Sequence, residues 1–155
     1  MDHARRLPPQ WVAAAPFRYH VQHLVATTGV PWQVVAMVAH LPQQQVRTLL
    51  FGRDGQRRPR VSPYAARRLF AVSREQLLML RSERLPARLV SENISLLLDD
   101  GVAVDDLADW LGQQPETVTR LQSGVGDCSL VTSAMLRLAC VERGILVEVE
   151  AKAAA

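Results

Sequence analysis

Cysteine, histidine, lysine and aromatic residues are all scarce in this sequence, and each scarcity excludes something. Two cysteines, Cys128 and Cys140, cannot make a disulfide framework or a four-cysteine metal site. Of the histidines His3, His20, His23 and His40, only His20 and His23 share a helical stretch, and no carboxylate or cysteine stands near them in sequence to complete a metal site. Aromatics make up 5% of the chain, so any core must be built from leucine, valine and alanine. No run of roughly 18 apolar residues exists to span a membrane. The charged start, Met1 to Pro9, is not followed by an apolar stretch of signal-peptide length. Glycine-rich phosphate loops of the Walker or dinucleotide type are missing as well. These absences lead us to expect no catalytic residue, no metal, no cofactor and no membrane partner, in a soluble, cytoplasmic protein.

What remains is 155 residues, 17.2 kDa, enough for one medium domain or two small ones. At 48% hydrophobic and 21% charged, the composition is that of a globular chain. The net charge of +3 conceals a division. Residues 1–86 carry 13 arginines and no lysine against 4 acids, or +9, whereas residues 87–155 carry 5 basic residues against 11 acids, or −6. A basic half joined to an acidic half implies different partners for the two ends, and the basic half is where nucleic acid would bind.

Helix signals punctuate the chain at short intervals. After a proline-marked lead-in (1–15), Pro16 to Thr28 has apolar residues at helical spacing and exits at Gly29. Short helices follow over 31–39 and 42–51, separated by His40-Leu41 and ended by Gly52. Two short helices joined by a tight turn, behind a longer supporting helix, make a helix-turn-helix arrangement. Segment 53–61 is a polar loop; Ser62-Pro63 starts a fourth helix to about Val72, and Ser73 caps a fifth that fades near Arg84-Leu85-Pro86. Shifting the chain by 72 residues lays the second half over the first without a gap from Phe17 to Gly52. Phe17 falls on Leu89, Leu24 on Leu96, Val25 on Leu97, Ala36 on Ala108, Val46 on Val118, Leu49 on Leu121 and Gly52 on Gly124. A later helix, Leu130 to Val141, answers the one from Pro63. The expectation is an all-α protein of two tandem helix-turn-helix domains of about five short helices each, 16–86 and 87–146, with a tail at 147–155.

The stretch Ala36 to Leu49 resembles the helix-turn-helix of the phage-repressor (lambda repressor and Cro-like) DNA-binding family. That pattern has a small residue in its first helix, a glycine four later, and a β-branched residue and a leucine in the recognition helix. Ala36, Val46 and Leu49 match, while His40 stands where glycine is usual; Ala108, Gly112, Val118 and Leu121 match in the second copy. The chain from Val30 to Val72 is also similar to small regulators of high-GC actinobacteria and their phages. The resemblance implies double-stranded DNA as partner and transcription regulation, repressor-like, as function, with the protein on the nucleoid.

A recognition helix must bury one face and offer polar groups to base edges. Val46, Leu49 and Leu50 supply the first, leaving Gln43, Gln44, Gln45, Arg47 and Thr48 for the second. Glutamine pairs bidentately with adenine and arginine with guanine in the major groove. The following loop, with Arg53, Arg57, Arg58 and Arg60, suits phosphates or the minor groove, and Arg67 and Arg68 on the next helix extend the positive potential. In the second copy, Gln114, Thr117, Thr119 and Arg120 occupy the reading positions, but Asp99, Asp100, Asp105, Asp106 and Asp109 crowd the preceding segment and would repel phosphate. That copy either reads DNA weakly or serves protein contact or homodimerisation, and the alternating segment 145–150 either forms a short strand that pairs with another chain or packs on its own domain. Competing classes are a protein-interaction adaptor and a non-specific nucleoid-coating protein.

Overall fold

The computed structural model describes residues 10–145. The chain divides into two compact units, Met1–Met79 and Leu80–Ala155. Both are mainly helical, with nine α-helices and two small sheets among the described residues. No helix among these residues is long and apolar enough to cross a membrane.

In the first unit a two-residue strand β1 (Val12–Ala13) precedes helices α1 (Ala15–Thr28), α2 (Trp32–Val38) and α3 (Gln43–Phe51). Strand β2 (Arg60–Val61) then pairs antiparallel with β1, α4 (Pro63–Ala71) follows, and α5 (Arg74–Ser82) begins in this unit and ends past its boundary at Met79. The helix bounds follow local chemistry. Proline opens α1, and Gly29 closes it in the left-handed conformation. Ser62 caps α4 by accepting from Ala65 N–H at 3.1 Å. Ser73 and Gln76 satisfy each other's backbone N–H groups at the start of α5, a capping box. Val21, Leu24, Val35, Ala36, Val46, Leu49, Leu69 and Leu77 are buried. They are the aliphatic core that so few aromatics require.

The second unit repeats this order. Strand β3 (Arg84–Pro86) leads through a 3-10 turn (Ala87–Leu89) into α6 (Ser91–Asp99), α7 (Val104–Leu111) and α8 (Pro115–Gln122). Strand β4 (Asp127–Ser129) pairs with β3, and α9 (Leu130–Glu142) closes the unit. Four α-helices and a 3-10 turn thus stand where about five helices are expected. The division lies ahead of Pro86, because Arg84–Pro86 form a strand of the second unit and not a linker. Of the expected strand over 145–150, Ile145 lies outside any strand and packs against the core, and the rest lies beyond the described residues.

The repeat is more complete than the sequence match, and differs from it in one respect. Val12 pairs with Val61 as Leu85 pairs with Cys128. Ala14 N–H donates to Pro59 O as Ala87 N–H donates to Gly126 O, both at 2.9 Å. Ser129 caps α9 as Ser62 caps α4. From Val30 to Gly52 the 72-residue offset holds: Ala36 and Ala108, Val46 and Val118, Leu49 and Leu121 are all buried. In the first helix the offset is 73, since the buried Ala14, Val21 and Leu24 correspond to the buried Ala87, Ile94 and Leu97. Phe17 therefore does not answer Leu89, which is exposed, and Leu24 answers Leu97 instead of Leu96. The slip is absorbed at the helix end, where a turn of different length precedes Val102.

Candidate nucleic-acid interface

The turn between α2 and α3 depends on one backbone conformation. Leu41 N–H reaches back to Ala36 O at 3.0 Å, as Gln113 N–H reaches Ala108 O at 2.9 Å. To do so the intervening residue enters the left-handed region: His40 at φ 55° and Gly112 at φ 63°. Glycine does this without a Cβ clash, whereas histidine is strained by roughly 1–2 kcal/mol.

Pro42, in extended conformation, delivers the chain into α3. Val46, Leu49 and Leu50 face inward, and Gln44, Gln45 and Arg47 stand exposed. Gln43 and Thr48 do not join them on the exposed face. Gln43 lies three and seven residues before Val46 and Leu50, hence on the inner side; its Nε2 donates to Gln33 O at 2.9 Å and its Oε1 is buried. Thr48 is 8% exposed and its hydroxyl donates to Gln44 O at 2.8 Å.

Past Gly52 the chain folds into a tight hairpin. Arg53 N–H donates to Gln56 O at 2.8 Å and Gln56 N–H to Arg53 O at 3.0 Å, around Asp54 and Gly55 at φ 52° and 77°. Both central residues are left-handed, as a type I′ turn requires. Gly52 makes the closure: its φ is +79°, and a Cβ there would collide with the Gln56 carbonyl and lie 2.9 Å from Arg57 N. Arg18, unremarked in the sequence, ties the pieces together from α1. Its Nε donates to Leu49 O at 2.8 Å and its Nη2 to Arg58 O at 3.2 Å. Arg60 in β2 donates to Trp11 O at 3.3 Å.

The result is a cleft of about 330 Å³ between the start of α3, the arginine loop and the β1–β2 ribbon. Gln44, Gln45 and Thr48 form one wall, Arg53, Arg58 and Arg60 another, and Trp11 the lip. Arg57, Arg67 and Arg68 are exposed but outside that wall; Arg68 donates to Tyr64 Oη at 3.1 Å and lies over its ring. Trp11 belongs to the proline-marked segment 1–15 of the sequence. Its only sequence signal is an aromatic residue in a chain with few.

The corresponding place in the second unit is nearly shut, with about 60 Å³ remaining. Arg120, at the position of Thr48, folds its guanidinium over Gly126 and donates to Val125 O at 2.7 Å and Asp127 O at 3.5 Å. Gln114 is exposed, Thr117 half-buried, and Thr119 exposed with its hydroxyl directed to Pro115 O. Asp99, Asp105, Asp106 and Asp109 are exposed, and Asp100 pairs with Arg143 at 2.7 Å.

His20 and the two cysteines have structural placements. His20 stacks on Phe70, with Nε2 3.1 Å from Val72 O. Burial pushes both thiols, Cys128 and Cys140, above the usual cysteine pKa. Compared with family models, curated proteins and solved structures, the chain matches none. Its chemistry is therefore read from its own residues.

Proposed function

We propose that this protein is a sequence-specific, DNA-binding transcriptional regulator of the phage-repressor-like type, made of two tandem helix-turn-helix domains. In this reading α3 enters the major groove, and Gln44, Gln45 and Arg47 contact base edges. Arg53, Arg57, Arg58 and Arg60 follow the phosphates or enter the minor groove, with Arg67 and Arg68 adding attraction at longer range. The second domain contributes by protein contact or dimerisation. Occupancy of an operator then excludes or recruits RNA polymerase.

One observation carries the reading: Gln44 and Gln45 of α3 line one cleft with Arg53, Arg58 and Arg60, in the unit whose sequence carries the excess positive charge. Arginine forks suit phosphate, and the glutamine and arginine of one helix start suit purine edges. The equivalent face of the second unit supports the divided roles, since its arginine is tied to carbonyl groups and the exposed Asp127 stands beside it. The left-handed backbone at residue 40 is the one the family pattern's glycine adopts, and Gly112 adopts it in the repeat, although His40 itself departs from that pattern.

Titrating the full chain with random duplex DNA at several salt concentrations tests the binding. Affinity should fall linearly on a log–log plot, by about 0.9 decades per decade of salt for each phosphate neutralised. Affinity indifferent to salt would sink the reading.

An adaptor role has support of its own from one surface. Val25, Trp32 and Phe51 line an apolar groove of about 220 Å³ on the first unit, with Phe51 62% exposed. Salt-insensitive DNA titrations together with capture of a protein partner through Phe51 would favour it.

A further inference from the structure

We propose that the cleft of the first unit is also a binding site for a small phosphorylated ligand bearing a flat ring, of nucleoside monophosphate class. The two copies differ in what stands at this place. Both units carry a cleft in the same place, between the third helix of the repeat, the following loop and the two-stranded ribbon. The second is filled by the protein's own cation: the Arg120 guanidinium occupies it, held by two carbonyl groups, and Asp127 stands in its wall.

The first copy inverts each of these features. Thr48 replaces Arg120, so the space is open; Arg60 replaces Asp127, and Trp11 replaces Arg84. The loop is five residues longer, Gly52 to Arg60 against Gly124 to Asp127, and brings Arg53 and Arg58 with it. Among the described residues, no carboxylate lines this cleft. Among the described residues, no hydrogen bond or ion pair engages the Arg53 or Arg58 guanidinium. Two unengaged guanidinium groups beside a third, with no acid among them, form a site for a dianion, and their planar forks match phosphate oxygens.

The rest of the cleft selects what the phosphate is attached to. Trp11 is 46% exposed at the lip and offers an indole for stacking, and the Gln44 and Gln45 amides offer donors and acceptors to a ring edge. A volume of about 330 Å³ lies at the small end of ligand pockets, room for a mononucleotide and not for a dinucleotide coenzyme. The site itself does not depend on DNA binding; one consequence does. If Gln44 and Gln45 read bases, nucleotide and duplex compete for them, and each raises the apparent dissociation constant of the other as its own concentration rises.

The test uses the full chain without DNA, titrated by calorimetry with AMP, GMP, CMP and UMP in turn, and with inorganic phosphate. At least one nucleotide should saturate with a dissociation constant below about 1 mM, and phosphate should bind at least about tenfold more weakly. The double variant Arg53→Ala/Arg58→Ala, with a helical circular dichroism spectrum like that of the parent, should weaken nucleotide binding by about tenfold or more. The proposal is overturned if no nucleotide saturates up to about 10 mM, if phosphate binds as tightly as the nucleotides, or if the double variant binds unchanged. A parallel DNA shift separates the two claims. Nucleotide binding without DNA binding removes the proposed function and keeps the site, and the converse removes the site and keeps the function.

Discussion

At the scale of the residue, two backbone positions carry testable strain. His40 sits at φ 55°, where its repeat counterpart is glycine. His40→Gly relieves the left-handed conformation but adds freedom to the unfolded chain, so a net gain of about 0.5–1 kcal/mol is expected in urea unfolding. Gly52→Ala goes the other way, because the added methyl meets the Gln56 carbonyl at a positive φ. A loss of about 2–3 kcal/mol is expected, with weakened DNA binding, since the arginine loop must move to make room. An unchanged unfolding midpoint in either variant would show that the turn relaxes more easily than its geometry implies. Side-chain direction was the least legible feature of the sequence. Five polar residues stand together at the start of α3, yet Gln43 turns inward on the phase of Val46 and Leu50, and Thr48 is covered. Polarity alone does not tell which way such residues point.

The helices were legible in the sequence because their ends are marked by chemistry. Proline opens α1 and α4, serine caps α4 and α9, and apolar residues recur at helical spacing between them. Nothing comparable marks the strands. Each is two or three residues long, too short for alternation to register, and its partner lies more than 40 residues away. The cleft was hidden for the same reason, since Trp11 reaches it only through the β1–β2 pairing. The one-residue slip between α1 and α6 escaped a comparison of residue types because leucines stand at both 96 and 97. Capping energetics give a direct check on the shared architecture. Ser62→Ala and Ser129→Ala each remove a cap, and each should cost about 1 kcal/mol in urea unfolding. No loss from either would mean that the cap bonds are not made in solution. The loop makes a different prediction. Replacing Arg57, Arg58 and Arg60 by alanine should weaken binding to all duplexes alike and flatten the salt dependence by up to about three phosphates' worth. Effects confined to one sequence would place these arginines on bases instead.

For the whole molecule, the two copies share one plan and differ in charge. The basic copy keeps its cleft open, and the acidic copy closes the corresponding space with Arg120. The aliphatic core pattern repeats between the copies, while the charge of their exposed residues does not. The central claim is that α3 of the first unit reads sequence through Gln44, Gln45 and Arg47. Selection of bound sequences from a random duplex library tests it most directly, using the full chain and its Gln44→Ala/Arg47→Ala variant in parallel. The account predicts an enriched motif for the parent and its loss in the variant, which should still bind random duplex weakly in a salt-dependent way. Enrichment of the same motif by both proteins, or of no motif by either, would contradict it.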